Sequence, residues 1–116
     1  MYLYINNIVT DILIKDCKNY QSWKNGLSDE SENIDGWGLR FNHCHEIQMK
    51  TCFISLDVVF INKKGKVIKC KTLNTGDKNY FSLFGSICLE LPIGTINKYE
   101  IKKNDILSFD GKKEYY

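Results

Sequence analysis

The 116-residue sequence contains no alanine, a single proline (Pro92) and a single arginine (Arg40). Without alanine, helices lose their best former, while the plentiful Ile, Val, Tyr, Phe and Thr favour strands. Arginine is the side chain best suited to bidentate recognition of phosphates and base edges, so one copy argues against a nucleic-acid partner. No charge surplus makes up for it, since 16 basic residues face 14 acidic ones for a formal net charge of +2. That balance gives no reason to expect a nucleic acid or an acidic membrane as partner. No apolar run approaches a membrane span. The N-terminal residues lack a basic region, and Asn6, Asn7 and Asp11 interrupt any apolar core. No signal peptide is read there, and the expectation is a soluble, cytoplasmic protein.

Paired cysteine spacing is also missing. The five cysteines are Cys17, Cys44, Cys52, Cys70 and Cys88, an odd number with no Cys-x-x-Cys among them. They fall within strand-like runs, so reduced, partly buried thiols are expected instead of a disulfide framework. His43-Cys44-His45-Glu46 is the one metal-like cluster. On an extended segment His43 and His45 share a side, but zinc needs three or four ligands and no second cluster completes the set. No metal and no cofactor are therefore expected. Cys44 cannot readily face either neighbouring histidine, because adjacent side chains on a strand point apart. The chain also lacks a nucleophile elbow and a phosphate-cradling glycine loop.

What is present suffices for a core: 43% hydrophobic and 13% aromatic residues, in a length that suits a single domain over residues 1–116. Tyr2 to Ile14 reads as one or two strands broken at Asn6-Asn7. Asp16 to Leu27 reads as a short helix capped by Asp16, and Ser28 to Asp35 as an exposed acidic loop. From Gly38 onward strands dominate. Phe53 to Ile61 sets Ile54, Leu56, Val58 and Phe60 on one face and a mixed set, with Asp57, on the other. Asn62-Lys63-Lys64-Gly65 predicts a hairpin turn into Lys66–Thr72, and Asn74-Thr75-Gly76-Asp77 a second turn. Ile87, Leu89 and Leu91 share a face opposite Cys88 and Glu90, and Pro92 ends that strand. A helical turn over Gly94–Tyr99 and a last strand over Ile106–Phe109 follow. Short strands between turn signals predict a mainly-β, antiparallel sandwich or barrel with one or two short helices. No crossover helix is long enough for parallel α/β.

Two stretches carry a family likeness. One is Met49-Lys50-Thr51-Cys52-Phe53-Ile54-Ser55-Leu56-Asp57-Val58-Val59-Phe60-Ile61 with Lys64-Gly65-Lys66-Val67. The other is Leu89-Glu90-Leu91-Pro92-Ile93-Gly94-Thr95 with Ile101-Lys102-Lys103-Asn104-Asp105. Together they resemble domain-of-unknown-function family 192 of bacteria and archaea, as a divergent member. Gly26-Leu27 and Gly38-Leu39-Arg40-Phe41 match two earlier blocks of that family weakly. The resemblance implies a jelly-roll-like β-sandwich and leaves activity unassigned. Gln48 stands where the family usually has Trp, Ser55 where it has Pro, Asn104 where it has the turn Gly, and Trp23 where it has an upstream Arg.

Lys50, Asp57 and Glu90 match charged positions of the family. If their strands are neighbours, one face would present two carboxylates and an ammonium. Carboxylates in a shared cleft can divide into acid and base roles. Otherwise they hold backbone N–H groups of nearby turns or form a charge-paired sheet face. The basic hairpin Lys63, Lys64, Lys66, Lys69 and Lys71 lacks stacking aromatics of its own and reads as protection of a sheet edge. The expected function is a β-sandwich module that binds a small ligand or a protein partner through Lys50, Asp57, Glu90 and Met49, without catalysis. The alternative is a small hydrolase-like enzyme using Asp57 and Glu90.

Overall fold

The computed structural model of this chain describes residues 1–17, 36–47 and 55–115. Strands β1 (Tyr2–Ile5) and β2 (Ile8–Asp16) form a hairpin around Asn6 and Asn7. Both asparagines have positive φ, 50° and 68°, the requirement of a two-residue turn whose twist matches its strands. Asp16 is the last residue of β2 and not a helix cap. The remainder of the expected helix and the Ser28–Asp35 loop lie outside the described residues.

Strands β3 (Trp37–Phe41) and β4 (Glu46–Ile47) precede β5 (Leu56–Ile61) and β6 (Val67–Leu73). After them come β7 (Tyr80–Phe81), β8 (Ile87–Pro92), a short helix α1 (Thr95–Lys98) and β9 (Leu107–Asp110). Seven strands form one sheet in the order β6-β5-β8-β3-β2-β1-β9, and β4 pairs with β7 in a second, smaller sheet. The mainly-β expectation holds. The strand pairs are antiparallel apart from β2 and β3, which pair in parallel. The stretch between Asp16 and Trp37 is long enough for the crossover such a pair needs.

The ends of the large sheet meet. Lys66 bridges Ile106, Val67 N–H donates to the Asp105 carbonyl at 2.8 Å, and Leu107 N–H donates to the Gly65 carbonyl at 2.8 Å. The sheet therefore curls into a barrel-like shell, which hides the edges that β6 and β9 would otherwise expose. Gly65 makes the seam possible. Its φ is +85°, and a Cβ there would run into the Leu107 carbonyl oxygen.

Two apolar clusters follow from the curl. The first collects Leu3, Ile5, Ile12, Ile14, Val59, Ile61, Val67, Leu89, Leu91, Ile101 and Leu107, which come from most of the strands and fill the concave side. The second holds Leu39, Phe41, Cys44, Ile47, Leu56, Val58, Phe60 and Cys88, on the outer face of β3, β8 and β5 beneath β4. Strand β5 is buried on both faces, as a central strand between two clusters must be. Helix α1 closes the concave side with Ile96 and Tyr99. Its C-terminus turns back through Glu100 (φ 53°), with Ile101 N–H on the Ile96 carbonyl at 2.9 Å and Glu100 N–H on Asn97 at 3.3 Å. This is a Schellman turn, with Glu100 in the position glycine usually holds. Among the described residues no helix is long and apolar enough to cross a membrane.

Candidate functional site

Asp57 and Glu90 lie on neighbouring strands, as expected, but not on a common face. In the β5–β8 ladder Asp57 pairs with Leu91, and Glu90 pairs with Val58. Residues directly opposite share a face and successive residues alternate. Asp57 therefore points to the concave side with Leu91, and Glu90 to the outer side with Val58. The two-carboxylate face proposed from alternation does not form, because the register is offset by one residue.

Asp57 is fully buried. One carboxylate oxygen accepts the Thr72 hydroxyl at 2.6 Å, and the other accepts the Ile96 N–H at 2.8 Å. Ile96 N–H is one of the first-turn donors of α1 that no residue of its own helix can satisfy. The helix has no side-chain cap of its own, so Asp57 caps it from across the core. A negative charge at a helix start is also favourable to the helix dipole. This is the turn-amide role weighed from the sequence, and it fastens the plug of the barrel to its central strand.

Glu90 has a different setting. It is 6% exposed, flanked in register by Leu39 on β3 and Val58 on β5. Cys88 stands on its own face two residues away, and Cys17 packs on the same cluster. Burial pushes the Cys17 thiol up to about 12, with the charges of Glu90, Asp16 and Cys44 adding to it. Burial raises Cys88 well above its ordinary value too, helped by a hydrogen bond with Cys44 and by the Glu90 charge. Three thiols and one carboxylate thus share a small patch, and two of the thiols stay protonated at neutral pH. They are poor nucleophiles and poor metal ligands in that form. Among the described residues Cys17, Cys44, Cys70 and Cys88 form no disulfide, and no three His, Cys, Asp or Glu side chains are placed to hold a metal. Cys52 lies outside the described residues.

Met49 and Lys50 also lie outside them. Ile47, two residues before Met49, packs in the same cluster as Cys88, on the face that carries Glu90. Of the metal-like cluster, His45 donates its Nδ1–H to the Ser82 carbonyl at 3.1 Å, and the Cys44 thiol donates to the Glu46 carbonyl at 3.2 Å. The His45 bond ties the start of β4 to the loop after β7, while the Cys44 bond stays within the β4 segment.

One site was not visible in the sequence. Arg40 grips Asp16 with two hydrogen bonds, Nε to Oδ1 at 2.6 Å and an η-nitrogen to Oδ2 at 2.9 Å. Lys113 adds a contact at 3.2 Å, Asn42 donates at 3.3 Å, and the guanidinium lies over Phe109 at 4.6 Å. Burial works to raise the Asp16 carboxyl, but Arg40 and Lys113 outweigh it and hold it below the ordinary range. The parallel β2–β3 ladder, with Asp16 opposite Arg40, creates this pair from residues far apart in the chain.

Strand β5, the seam glycine Gly65 and the capping Asp57 fall within the two stretches that carry the family likeness. Residues 5–109 match domain-of-unknown-function family 192, described as uncharacterised ACR. The chain belongs to that family. Asn104, standing where the family has its turn glycine, has φ 78°, so the family-192 glycine answers a left-handed backbone that asparagine also tolerates. Two crystal structures share the fold. One is a proposed transcription regulator from Sinorhizobium meliloti, with TM-score 0.78 and 17% identity over 91% of this chain and 90% of that one. The other is a protein of unknown function from Novosphingobium aromaticivorans, with TM-score 0.73 and 16% identity over 93% and 84%. At such identity the likeness is one of fold alone. No curated protein matches the chain.

Proposed function

We propose that this family-192 member is a single-domain binding module of jelly-roll type, and that its ligand-binding face is the outer face of β3 and β8 around Glu90. A carboxylate set among Leu39, Val58, Cys17 and Cys88 is the observation that supports this reading. It places one charged group in an apolar patch, the composition of most small-ligand sites. Lys50 and Met49 would complete the face, giving it an ammonium and a flexible thioether. Asp57 is dropped from the binding set and assigned to the fold. The enzyme alternative loses its main support for the same reason, since an acid/base pair needs both carboxylates beside one substrate. A role on nucleic acid gains nothing from the one neighbour described as a transcription regulator, because the single Arg40 is committed to Asp16.

The test is a fragment screen read by amide chemical shifts of labelled protein. Binders should move the resonances of Leu39, Phe41, Cys88 and Glu90, and Glu90→Gln or Lys50→Met should weaken them at least about tenfold. Binders that instead move Asp57, Thr72 and Ile96, or that ignore both substitutions, would refute the assignment.

A further inference from the structure

Beside β7 the chain builds a feature that the Glu90 face does not use. The loop Ser82–Gly85 carries Leu83 and Phe84, which are 76% and 80% exposed, next to Phe81 at 53%. Large apolar side chains this bare are unusual when they occur together. Their backbone is held firmly. Ser82 is buried, its N–H bonds the His45 carbonyl at 2.8 Å, and its hydroxyl accepts the Gly85 N–H at 2.9 Å. A Cβ at Gly85 would come within 2.8 Å of the Phe60 Cβ, so the loop sits tightly on β5. Lys69 donates to the Phe81 carbonyl at 2.6 Å and lies over the Tyr80 ring at 4.3 Å. Leu83 and Phe84 thus project from a loop that is tied down on both sides.

The surroundings are cationic. Phe60 pairs with Lys69 across β6, and Gly85 rests against the same Phe60, so Lys69 and the loop meet at one strand position. Lys71, two residues along β6, is exposed on the same face. Lys63 and Lys64 sit exposed in the turn directly after β5, whose last residue, Ile61, pairs with Ile87 at the start of β8. In the described stretches 41–47, 57–73 and 80–90 the carboxylates are Glu46, the buried Asp57 and the buried Glu90, which shares a rung with Lys71 through Val58. Across the seam, Asp105 is held by Lys102 and Asn6. Among the described residues, the turn and the loop thus carry a local lysine surplus that the near-neutral total of the chain does not show.

From this combination we infer that the Ser82–Gly85 loop and the Asn62–Gly65 turn form a docking surface for an anionic lipid bilayer. An exposed apolar tip fits a deformable interface that needs no matching pocket, and the lysines of β6 and the Asn62–Gly65 turn fit an anionic headgroup layer. Leucine offers nothing to a stacked base, which disfavours a nucleic acid as the occupant. No such signal is legible in the sequence, because two apolar residues in a loop have no periodicity and the lysines balance acids located elsewhere in the chain.

The experiment is sedimentation with phosphatidylcholine vesicles, with and without one third phosphatidylserine, at low salt and at physiological salt. Wild type should bind the anionic vesicles at least about tenfold more tightly than the neutral ones, and less tightly as salt rises. Phe84→Ser and Leu83→Ser should each reduce binding severalfold, Lys63→Gln with Lys64→Gln should remove most of the salt dependence, and Phe84→Trp should show a blue-shifted emission on anionic vesicles. Ile93→Ser, an exposed apolar residue beyond the opposite end of β8, should bind as wild type does. No binding of wild type to anionic vesicles at low salt overturns the inference. So does binding that survives both serine substitutions, or self-association that Phe84→Ser abolishes in the absence of vesicle binding.

Discussion

Asp57 and Glu90 occupy adjacent register positions on paired strands and leave the sheet on opposite faces. One residue of offset separates a carboxylate that caps a helix from one that lies in an apolar patch with three thiols. The same offset removes the two-carboxylate cleft that charge alternation suggested. It also gives different surroundings to two charged positions, one from each of the stretches that carry the family likeness.

The Asp16–Arg40 pair predicts how the fold responds to acid. The folded-state pKa of Asp16 is lowered, so its contribution is complete above the ordinary carboxylate range near 3.9 and is lost as pH falls through the lower folded value. Urea midpoints should be flat from about pH 5 to 7 and fall below about pH 4. Arg40→Met strands a buried carboxylate and should cost about 3 kcal/mol at neutral pH. An unchanged midpoint in that variant would show the pair to be incidental.

The thiols should behave as core side chains. Cys17, Cys70 and Cys88 all have raised pKa values, burial being the first cause in each. Iodoacetamide labelling at pH 8, mapped by mass spectrometry, should modify these three in the folded protein at no more than about a tenth of the rate in guanidinium. All five cysteines of the chain should react after denaturation without reductant. Rapid labelling of Cys17 in the folded state would contradict its protonated setting, and a mass two units low would reveal a disulfide.

Three backbone positions make a graded set. Gly65→Ala forces a side chain into left-handed backbone and into the Leu107 carbonyl at the seam, and should cost about 3 kcal/mol or more. Asn104→Gly should be neutral or slightly stabilising, while Asn104→Val should cost about 1 to 2 kcal/mol. Glu100→Gly should gain about 1 kcal/mol by relieving the C-terminal turn of α1. Urea denaturation of the four variants decides the order, and a harmless Gly65→Ala would mean the barrel seam is not needed for folding.

Much of the fold is legible in the residues because its signals are local. Asn6-Asn7, Asn62–Gly65 and Asn74–Asp77 each mark a turn through side chains that tolerate left-handed backbone. The alternation of Ile87, Leu89 and Leu91 against Cys88 and Glu90 gives the two faces of β8. What escapes is non-local. The parallel β2–β3 ladder pairs segments joined by a long stretch with no strong pattern, and with it go the Asp16–Arg40 pair and the true end of β2. Alternation assigns Asp57 and Glu90 each to a face of its own strand, but not the register between strands. That single quantity decides whether two carboxylates meet.

The most direct test is therefore a comparison of Asp57→Asn with Glu90→Gln by urea denaturation at pH 7. Asp57→Asn leaves the α1 cap and the Thr72 hydroxyl with a weakened acceptor in a fully buried position, and should lose about 2 to 3 kcal/mol. Glu90→Gln keeps the shape and one acceptor oxygen of a buried side chain that caps no helix, and should lose less stability than Asp57→Asn, by about 1 kcal/mol or more. Equal and large losses in both would make Glu90 a second structural carboxylate, and would contradict the division of roles on which the proposed binding face depends.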